Sequence, residues 1–196
     1  MQLAFHGQSL ELDPSGALYW PARGLLVVAD LHLEKGTAFA RRGTLLPPYD
    51  SHATLARLET LTARFRPATL VSLGDGFHDR KGPLELSPAL FDRLGAMTRA
   101  RRWVWVTGNH DPVHPMHRKA QRHFPAYTEV FATVQQMART KVGDTGVLMS
   151  HFPYSGTPDR FSREEFEQWQ LRNFGQWLIH GHTHRPGDNA PDARHR

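Results

Sequence analysis

Polar side chains that bind metal ions follow short apolar runs at several points of this 196-residue chain. The clearest case is W-V-W-V-T-G-N-H-D, in which an apolar run at 103–107 stops at Gly108 and releases Asn109, His110 and Asp111 without a spacer. An amide, an imidazole and a carboxylate at the end of a buried strand would meet at the carboxyl edge of a sheet, where ligands of α/β folds bind. The sequence therefore indicates a metal centre at such an edge.

The same transition from apolar run to polar side chain occurs four more times, after residues 25–29, 69–73, 147–150 and 177–179. Together the five transitions supply two carboxylates, one amide and four imidazoles. These seven candidate metal ligands are Asp30, His32, Asp75, Asn109, His151, His182 and His184. One ion is saturated by about four to six ligands, so seven favour two ions that share a bridging carboxylate.

The types of ligand narrow the choice of metal and of chemistry. The chain has no cysteine, which excludes a thiolate site. A mixed set of oxygen and nitrogen ligands favours two divalent ions such as manganese, our first choice, or iron or zinc, over magnesium or calcium. Two such cations about 3.5–4 Å apart can hold a hydroxide and bind both non-bridging oxygens of a phosphate. We expect hydrolysis of a phosphodiester or a phosphomonoester by attack of the metal-bridged hydroxide.

The elements that would position these ligands are short strands separated by helices. Each apolar run predicts a strand, and we expect the five strands to deliver their polar residues to one edge. Leucines at intervals of three or four predict a helix that Asp50 or Ser51 would cap and Pro67 would end, and Ser87 followed by Pro88 predicts the start of another. Residues 1–20 alternate apolar and polar and predict a hairpin that turns at 13–16.

The ordered motifs D-x-H, G-D, G-N-H-D, H and G-H-x-H resemble those of the calcineurin-like metallophosphoesterases, and the resemblance covers residues 24–187. It implies an α/β fold, a four-layer α-β-β-α metallophosphoesterase sandwich. The amino-terminal hairpin and the strands at 128–150 would join its second sheet. Only 12 residues follow His184, so the sandwich could lack its last strands.

The resemblance also implies roles for individual residues. One ion would be held by Asp30, His32, Asp75 and His184, and the other by Asp75, Asn109, His151 and His182. His110 would face the leaving-group oxygen as the catalytic general acid or charge stabiliser, and Asp111 would orient it.

A closer resemblance differs between the two halves of the chain. The first half, with A-D-L-H-L-E-K-G, F-A-R-R-G, L-P-P-Y-D and L-G-D-G-F-H-D-R, is similar to the ligase-associated DNA-damage-response metallophosphoesterases, which are DNA endonucleases or phosphodiesterases encoded beside repair ligases. The second half, with M-S-H-F-P-Y-S-G and W-L-I-H-G-H-T-H, is more similar to other bacterial and phage calcineurin-like phosphoesterases of unassigned substrate. Nucleic acid is the first substrate hypothesis, with His78, Arg41 and Arg42 as candidate substrate contacts.

Composition sets the remaining expectations. A net charge of +5 and a pI near 10.0 are compatible with a phosphate-rich partner such as DNA. No secretory signal and no apolar run of about 20 residues is visible, so we expect a cytoplasmic protein without a membrane partner. Residues 1–187 would form one phosphoesterase domain and residues 188–196 a disordered tail, and the oligomeric state is left open.

Three alternatives stay open at this point. The substrate could be a small nucleotide or a phosphoprotein rather than nucleic acid. The chain could be a non-catalytic scaffold that binds a protein partner on the same fold. It could also be a nucleic-acid-binding module in which the ions are structural, and salt-dependent DNA affinity without cleavage would favour that role.

Overall fold

A mixed sheet of seven strands forms the centre of the structure, a computed structural model that describes residues 1–47, 49–108, 110–111, 133–135, 137–152 and 177–181. In spatial and chain order its strands are β1 (Gln2–Phe5), β2 (Gln8–Leu12), β3 (Leu18–Trp20), β4 (Leu25–Ala29), β5 (Thr69–Leu73), β6 (Arg102–Val106) and β7 (Val134–Gln135). Strands β1 to β4 pair antiparallel and β4 to β7 pair parallel.

The parallel strands end level with one another. Ala29 of β4 pairs with Leu73 of β5, which pairs with Val106 of β6. The residues that follow these strands therefore leave the sheet at one edge, as the sequence predicted for the first three motifs.

A second sheet has three described strands, which are β8 (Ala138–Val142), β9 (Thr145–Ser150) and β10 (Trp177–His180). Strand β9 lies in the middle, antiparallel to β8 and parallel to β10. Ser150 pairs with His180 at the carboxyl ends of β9 and β10. The last two predicted motifs thus follow neighbouring strands of a different sheet, and the expectation that all five strands share one sheet edge is wrong.

Four helices connect the strands of the first sheet within the described residues. They are α1 (Lys35–Ala40), α2 (Asp50–Phe65), α3 (Gly82–Glu85) and α4 (Pro88–Ala100), and a short 3-10 turn covers Pro21–Arg23. Helix α4 begins as predicted, because the Ser87 hydroxyl accepts a hydrogen bond from the Leu90 N–H at 3.3 Å. None of the helices in the described ranges is long and apolar enough to cross a membrane.

Alternation along β4, β5 and β6 divides the core into two clusters. Leu26, Leu70 and Trp103 face the buried leucines of α2 and α4. Their neighbours in the strands face the second sheet and pack against three of its residues, Ala138, Val147 and Met149. Because successive side chains of a strand point to opposite faces, the same short runs support a helical layer and a second sheet. The mixed α/β class is confirmed, and the fourth layer stays a prediction because residues 153–176 lie outside the described ranges.

The amino-terminal segment differs from its prediction in two ways. It forms three antiparallel strands rather than one hairpin, with an additional turn at His6 and Gly7. It also extends the first sheet instead of joining the second, since Leu18 pairs with Val27 of β4. Only four residues, 21–24, separate β3 from β4, and so short a link favours pairing between neighbours. Strand β7 likewise joins the first sheet, whereas β8 and β9 lie in the second, as predicted.

Candidate metal centre

Three of the predicted ligands converge where β4 and β5 end. Each of Asp30, His32 and Asp75 offers one ligand atom, and these atoms all lie within 4.8 Å of one another. Asp75 is almost fully buried, whereas Asp30 and His32 are partly exposed. The group therefore has the donor types and the spacing of a metal-binding cluster, open to solvent on one side.

His151 enters the same cluster from the second sheet. Its Nε2 atom lies 3.5 Å from Oδ2 of Asp75, and its Nδ1 atom lies 3.8 Å from Oδ1 of Asp30. Nδ1 is also 3.0 Å from the carbonyl oxygen of Leu73, which can only accept a hydrogen bond, so Nδ1 carries the proton. This contact leaves Nε2 as the lone-pair atom that faces Asp75, the arrangement typical of a metal-binding histidine.

Glycines make room for this convergence. A Cβ on Gly74 would lie 2.4 Å from the His151 ring, and a Cβ on Gly108 would lie 2.2 Å from Oδ1 of Asp75. Gly181 after β10 would bring a Cβ to 3.0 Å from Oδ2 of Asp30. The glycines of the G-D, G-N-H-D and G-H-T-H motifs are thus required by close approach to the ligand side chains.

The loops after β4 and β5, which carry these candidate ligands, have a strained backbone. Asp30, His32 and Asp75 have φ values of 53°, 44° and 47°, a left-handed conformation that non-glycine residues rarely adopt. Hydrogen bonds between the loops hold it, including one from the His32 N–H to the Asp75 carbonyl at 2.9 Å. Strain that the surrounding structure maintains is typical of functional sites.

The electrostatics of Asp75 favour a cation. The pKa of Asp75 is raised to about 8, chiefly by burial and also by the negative charges of Asp111 and Asp30, against the lowering effect of a hydrogen bond from the His110 N–H. A carboxylate held in this environment is unstable as an anion unless positive charge lies beside it. The mixed carboxylate and imidazole donors around Asp75 therefore fit a divalent metal ion.

His110 lies beside the cluster with a defined orientation. Its Nδ1 atom is 2.8 Å from the carbonyl oxygen of His78, so this nitrogen donates a hydrogen bond. Its backbone N–H donates to Oδ1 of Asp75 at 2.9 Å, and its Nε2 atom lies 3.9 Å from Oδ2 of Asp75. The ring is partly exposed, so it can be reached from solvent beside the cluster.

The Asp111 carboxylate bonds to backbone rather than to the His110 ring, so it does not orient the ring directly as the resemblance implied. Its carboxylate accepts hydrogen bonds from the backbone N–H of Phe77 at 3.1 Å and of Gly108 at 2.9 Å. One oxygen is used in each bond, and the His110 ring is oriented by the His78 carbonyl instead. Asp111 therefore fastens the loop after β5 to the loop after β6. Burial raises the pKa of this carboxyl group, against the lowering effect of the backbone hydrogen bonds.

The predicted substrate residues have different environments. The His78 ring centroid lies 5.5 Å from that of His32 and 5.7 Å from that of His110, on the wall of the site. Arg41 forms ion pairs with Asp79 and Glu85, which attach α1 to α3 and engage its guanidinium. Arg42 is exposed, and it has no ion pair with another described residue.

Three predicted site residues lie outside the described ranges, and three residues near the site were not predicted. Asn109, His182 and His184 are not among the described residues, so their roles stay predictions. The buried carboxylate of Glu34 was not predicted, although an acidic residue directly after Leu33 in the run L-H-L-E is a signal that could have marked it. Lys35 and Phe39 were also missed. Phe39 lies with its ring centroid 5.4 Å from that of His78.

Comparison with known proteins identifies the same family that the motifs resemble. The family model described as calcineurin-like phosphoesterase matches residues 24–186. The Gene 66 protein of Mycobacterium phage L5 is 48% identical over 166 residues, which are 81% of this chain and 76% of that protein. The Gene 66 protein of Mycobacterium phage D29 is 43% identical over 102 residues, and the match spans about half of each chain.

Two solved structures share the fold. The nuclease MPE of Pseudomonas putida is 28% identical, with a TM-score of 0.52 over 78% of this chain and 66% of its own. A protein of unknown function from Aquifex aeolicus has a TM-score of 0.52 and 17% identity over 84% of this chain and 81% of its own. The second likeness concerns the fold alone.

Proposed function

The chain belongs to the calcineurin-like phosphoesterase family and is a hydrolase of phosphate esters, and from that premise we propose that it cleaves phosphodiesters of nucleic acid with two divalent cations. The observation that carries the proposal is the convergence of Asp30, His32 and His151 on the buried carboxylate of Asp75. Side chains from two sheets surround a carboxylate that requires positive charge.

The proposed ligand sets share Asp75. Asp30, His32 and Asp75 would hold one ion together with His184, and Asp75 would hold the other with His151, Asn109 and His182. When bound, the cations lower the pKa of a water that becomes the nucleophile and neutralise charge that develops on the phosphate. Manganese is the first choice, with iron or zinc as alternatives, because the described donors mix oxygen and nitrogen.

The chain's own residues supply the remaining steps of the proposed reaction. Because Nδ1 of His110 donates to the His78 carbonyl, Nε2 is the ring nitrogen available to exchange a proton with the substrate. That atom lies 3.9 Å from Oδ2 of Asp75 on a partly exposed ring, from which it would give its proton to the leaving-group oxygen. Asp111 fixes the two loops that position Asp75 and His110, through hydrogen bonds to Phe77 and Gly108.

The surface beside the site supports a nucleic-acid substrate. Lys35 and Arg42 are exposed and have no ion pair among the residues that the structure describes. Burial lowers the pKa of His78, and the positive charges of His110, Lys35 and Arg42 lower it further against the opposing charge of Asp79. The two exposed cations therefore act on the wall of the site itself. Such cations favour a substrate with phosphates on either side of the scissile bond.

A substrate panel tests this proposal. We expect manganese-dependent cleavage of single-stranded DNA and of bis-p-nitrophenyl phosphate. The comparison arms are p-nitrophenyl phosphate, a cyclic nucleotide and a phosphopeptide at the same ionic strength. Preference for a monoester or a phosphopeptide would contradict the nucleic-acid assignment, and DNA binding without any cleavage would contradict the catalytic one.

A further inference from the structure

The first turn of α2 caps a different helix from its own. The Ser51 hydroxyl accepts a hydrogen bond from the Glu34 N–H at 2.7 Å, and Oδ2 of Asp50 accepts one from the Gly36 N–H at 3.1 Å. Both donors lie at the start of α1, whereas α2 begins after Tyr49 without a side-chain cap. The predicted capping of α2 by Asp50 or Ser51 is therefore wrong.

Glu34 completes this contact with a buried carboxylate. Its Oε1 atom accepts a hydrogen bond from the Ser51 hydroxyl at 3.0 Å, and its Oε2 atom accepts one from the Thr37 hydroxyl at 2.6 Å. Glu34 is 7% exposed and Ser51 is 3% exposed. Because a buried carboxylate is costly unless it is hydrogen-bonded, each oxygen requires its hydroxyl partner.

The Glu34 contact lies two residues from a candidate metal ligand. His32 and Glu34 both have left-handed backbone, with φ values of 44° and 61°. Between them Leu33 is fully buried, and its N–H donates to the Gly76 carbonyl at 2.9 Å while its carbonyl accepts from the His78 N–H at 2.9 Å. The segment from His32 to Glu34 is thus held at each residue, and the contacts of Glu34 anchor its end next to the backbone that carries His32.

Helix α1 has little room to move by itself. A Cβ on Gly36 would lie 2.9 Å from Oδ1 of Asp50, so the first turns of α1 and α2 are in close contact. Ser51 both donates to and accepts from Glu34, which fixes the rotation of its hydroxyl group. Loss of that hydroxyl would leave the Glu34 N–H and Oε1 without this partner at once.

We propose that Ser51 and Glu34 are positioning residues that hold His32 in the orientation needed for metal binding. The proposal rests on the proposed function, because it assigns to these residues a role in the same metal centre. Neither side chain is a ligand or touches the substrate. They act through the backbone between Glu34 and His32.

The test is the manganese affinity of the full-length protein, measured by calorimetry after removal of metal. Ser51→Ala is expected to weaken manganese binding about 10–100-fold, the effect typical of losing a residue that orients a ligand. Glu34→Ala should do the same. Glu34→Gln keeps an acceptor for Ser51 and can donate to the Thr37 hydroxyl, so it should retain most of the affinity. This rescue separates positioning from a requirement for the negative charge.

Ser87→Ala is the matched control. It also removes a hydroxyl that caps a helix, α4, but Ser87 is not bonded to any candidate ligand loop. We expect it to lower the melting temperature while manganese affinity stays within about twofold of wild type. Equal affinities for Ser51→Ala and Ser87→Ala would overturn the proposal. If Ser51→Ala does not fold, Thr37→Ala removes the other hydroxyl partner of Glu34 and tests the same expectation.

Measurements on the wild-type protein distinguish a failure of the proposed function from a failure of the positioning role. A wild-type protein that binds no manganese and releases no p-nitrophenol would contradict the proposed function itself. A wild-type protein that binds manganese, with Ser51→Ala and Thr37→Ala binding it equally well, would contradict only the positioning role of the Glu34 contact.

Discussion

Asp75 is the residue on which the candidate centre depends most. Its carboxylate accepts a hydrogen bond from the His110 N–H, faces His151 and lies in one candidate ligand cluster with Asp30. Its burial and its carboxylate neighbours make its charge unfavourable without a cation. The residue therefore combines a strong requirement for positive charge with a position among the candidate metal ligands.

The raised pKa of Asp75 predicts a pH-dependent stability of the metal-free protein. Its folded pKa of about 8 lies above its ordinary value of 3.8, so the folded state favours the protonated carboxyl group. Stability from this group is complete below about pH 4 and is lost as pH rises through about 8. Asp75→Asn should remove this loss. Relative to wild type, its free energy of unfolding should rise by a few kcal/mol between pH 5 and 8.5.

Urea unfolding of metal-free proteins across this pH range checks the expectation. Asp144→Asn, in the exposed turn between β8 and β9, is the control that changes one carboxylate on the surface. A difference between wild type and Asp75→Asn that is the same at pH 5 and pH 8.5 would mean that Asp75 has no raised pKa.

His110 has a separate expected role at the residue scale. His110→Ala should lower kcat for bis-p-nitrophenyl phosphate about 10²–10⁴-fold, because the proton donor to the leaving group is lost. Manganese affinity should change little, since the ring lies beside the ligand cluster. His52→Ala, on the exposed side of α2, is the matched control. A variant with wild-type kcat would remove the catalytic role from His110.

At the scale of elements, the accuracy of the sequence prediction depends on where the deciding contacts lie. Strands β4 and β5 have the predicted bounds, because a continuous apolar run flanked by polar residues is local information. The Ser87 cap is local as well. The Ser51 hydroxyl, in contrast, could bond to its own helix or to Glu34, and the tertiary approach of α1 decided between them.

At the candidate site, too, the sequence predicted some contacts and not others. The sequence predicted that Asp30, His32, Asp75 and His151 would meet, because the ligand types and the apolar runs before them are both visible in it. It did not reveal that Asp111 bonds to the backbone of Phe77, since that contact depends on how two loops pack. The placement in the second sheet of the strand before His151 came from the family resemblance, because pairing partners of strands are not encoded locally.

The helical layer has its own expected energetics. Leu94 of α4 has no exposed surface and packs in the cluster between the helices and the first sheet. Leu94→Ala should lower the free energy of unfolding by about 2–5 kcal/mol through lost burial and a residual cavity. Leu45→Ala, at a position 87% exposed, should change it by less than about 0.5 kcal/mol. Urea denaturation of both variants measures the contrast, and similar midpoints would argue against the packing of α4.

At the scale of the whole molecule, the candidate ligands follow strands of two sheets whose carboxyl ends lie together. The first sheet supplies Asp30 and Asp75, and the second supplies His151. Packing of the sheets through Val71, Val147 and neighbouring apolar residues thus assembles the centre. Metal binding to such a centre should stabilise the packing of both sheets, because the ions bind the folded state alone.

The exposed cations Lys35 and Arg42 predict how the protein binds a polyanion such as single-stranded DNA. Removing Lys35 and Arg42 together should weaken binding of single-stranded DNA. It should also reduce the slope of log K against log salt by about 0.7 for each lost phosphate contact. Arg57→Ala, which removes an exposed cation from α2, is the control. The measurement is fluorescence anisotropy between about 50 and 200 mM salt. An unchanged slope would show that these cations do not contact phosphates.

The most direct measurement is the turnover of bis-p-nitrophenyl phosphate while metal-free protein is titrated with manganese. We predict that activity rises until two ions are bound per chain, that EDTA abolishes it, and that Asp75→Ala does not respond to manganese. Turnover that persists without metal, or a wild-type protein that binds manganese at this site and hydrolyses no phosphate ester, would contradict a dinuclear hydrolytic centre built around Asp75.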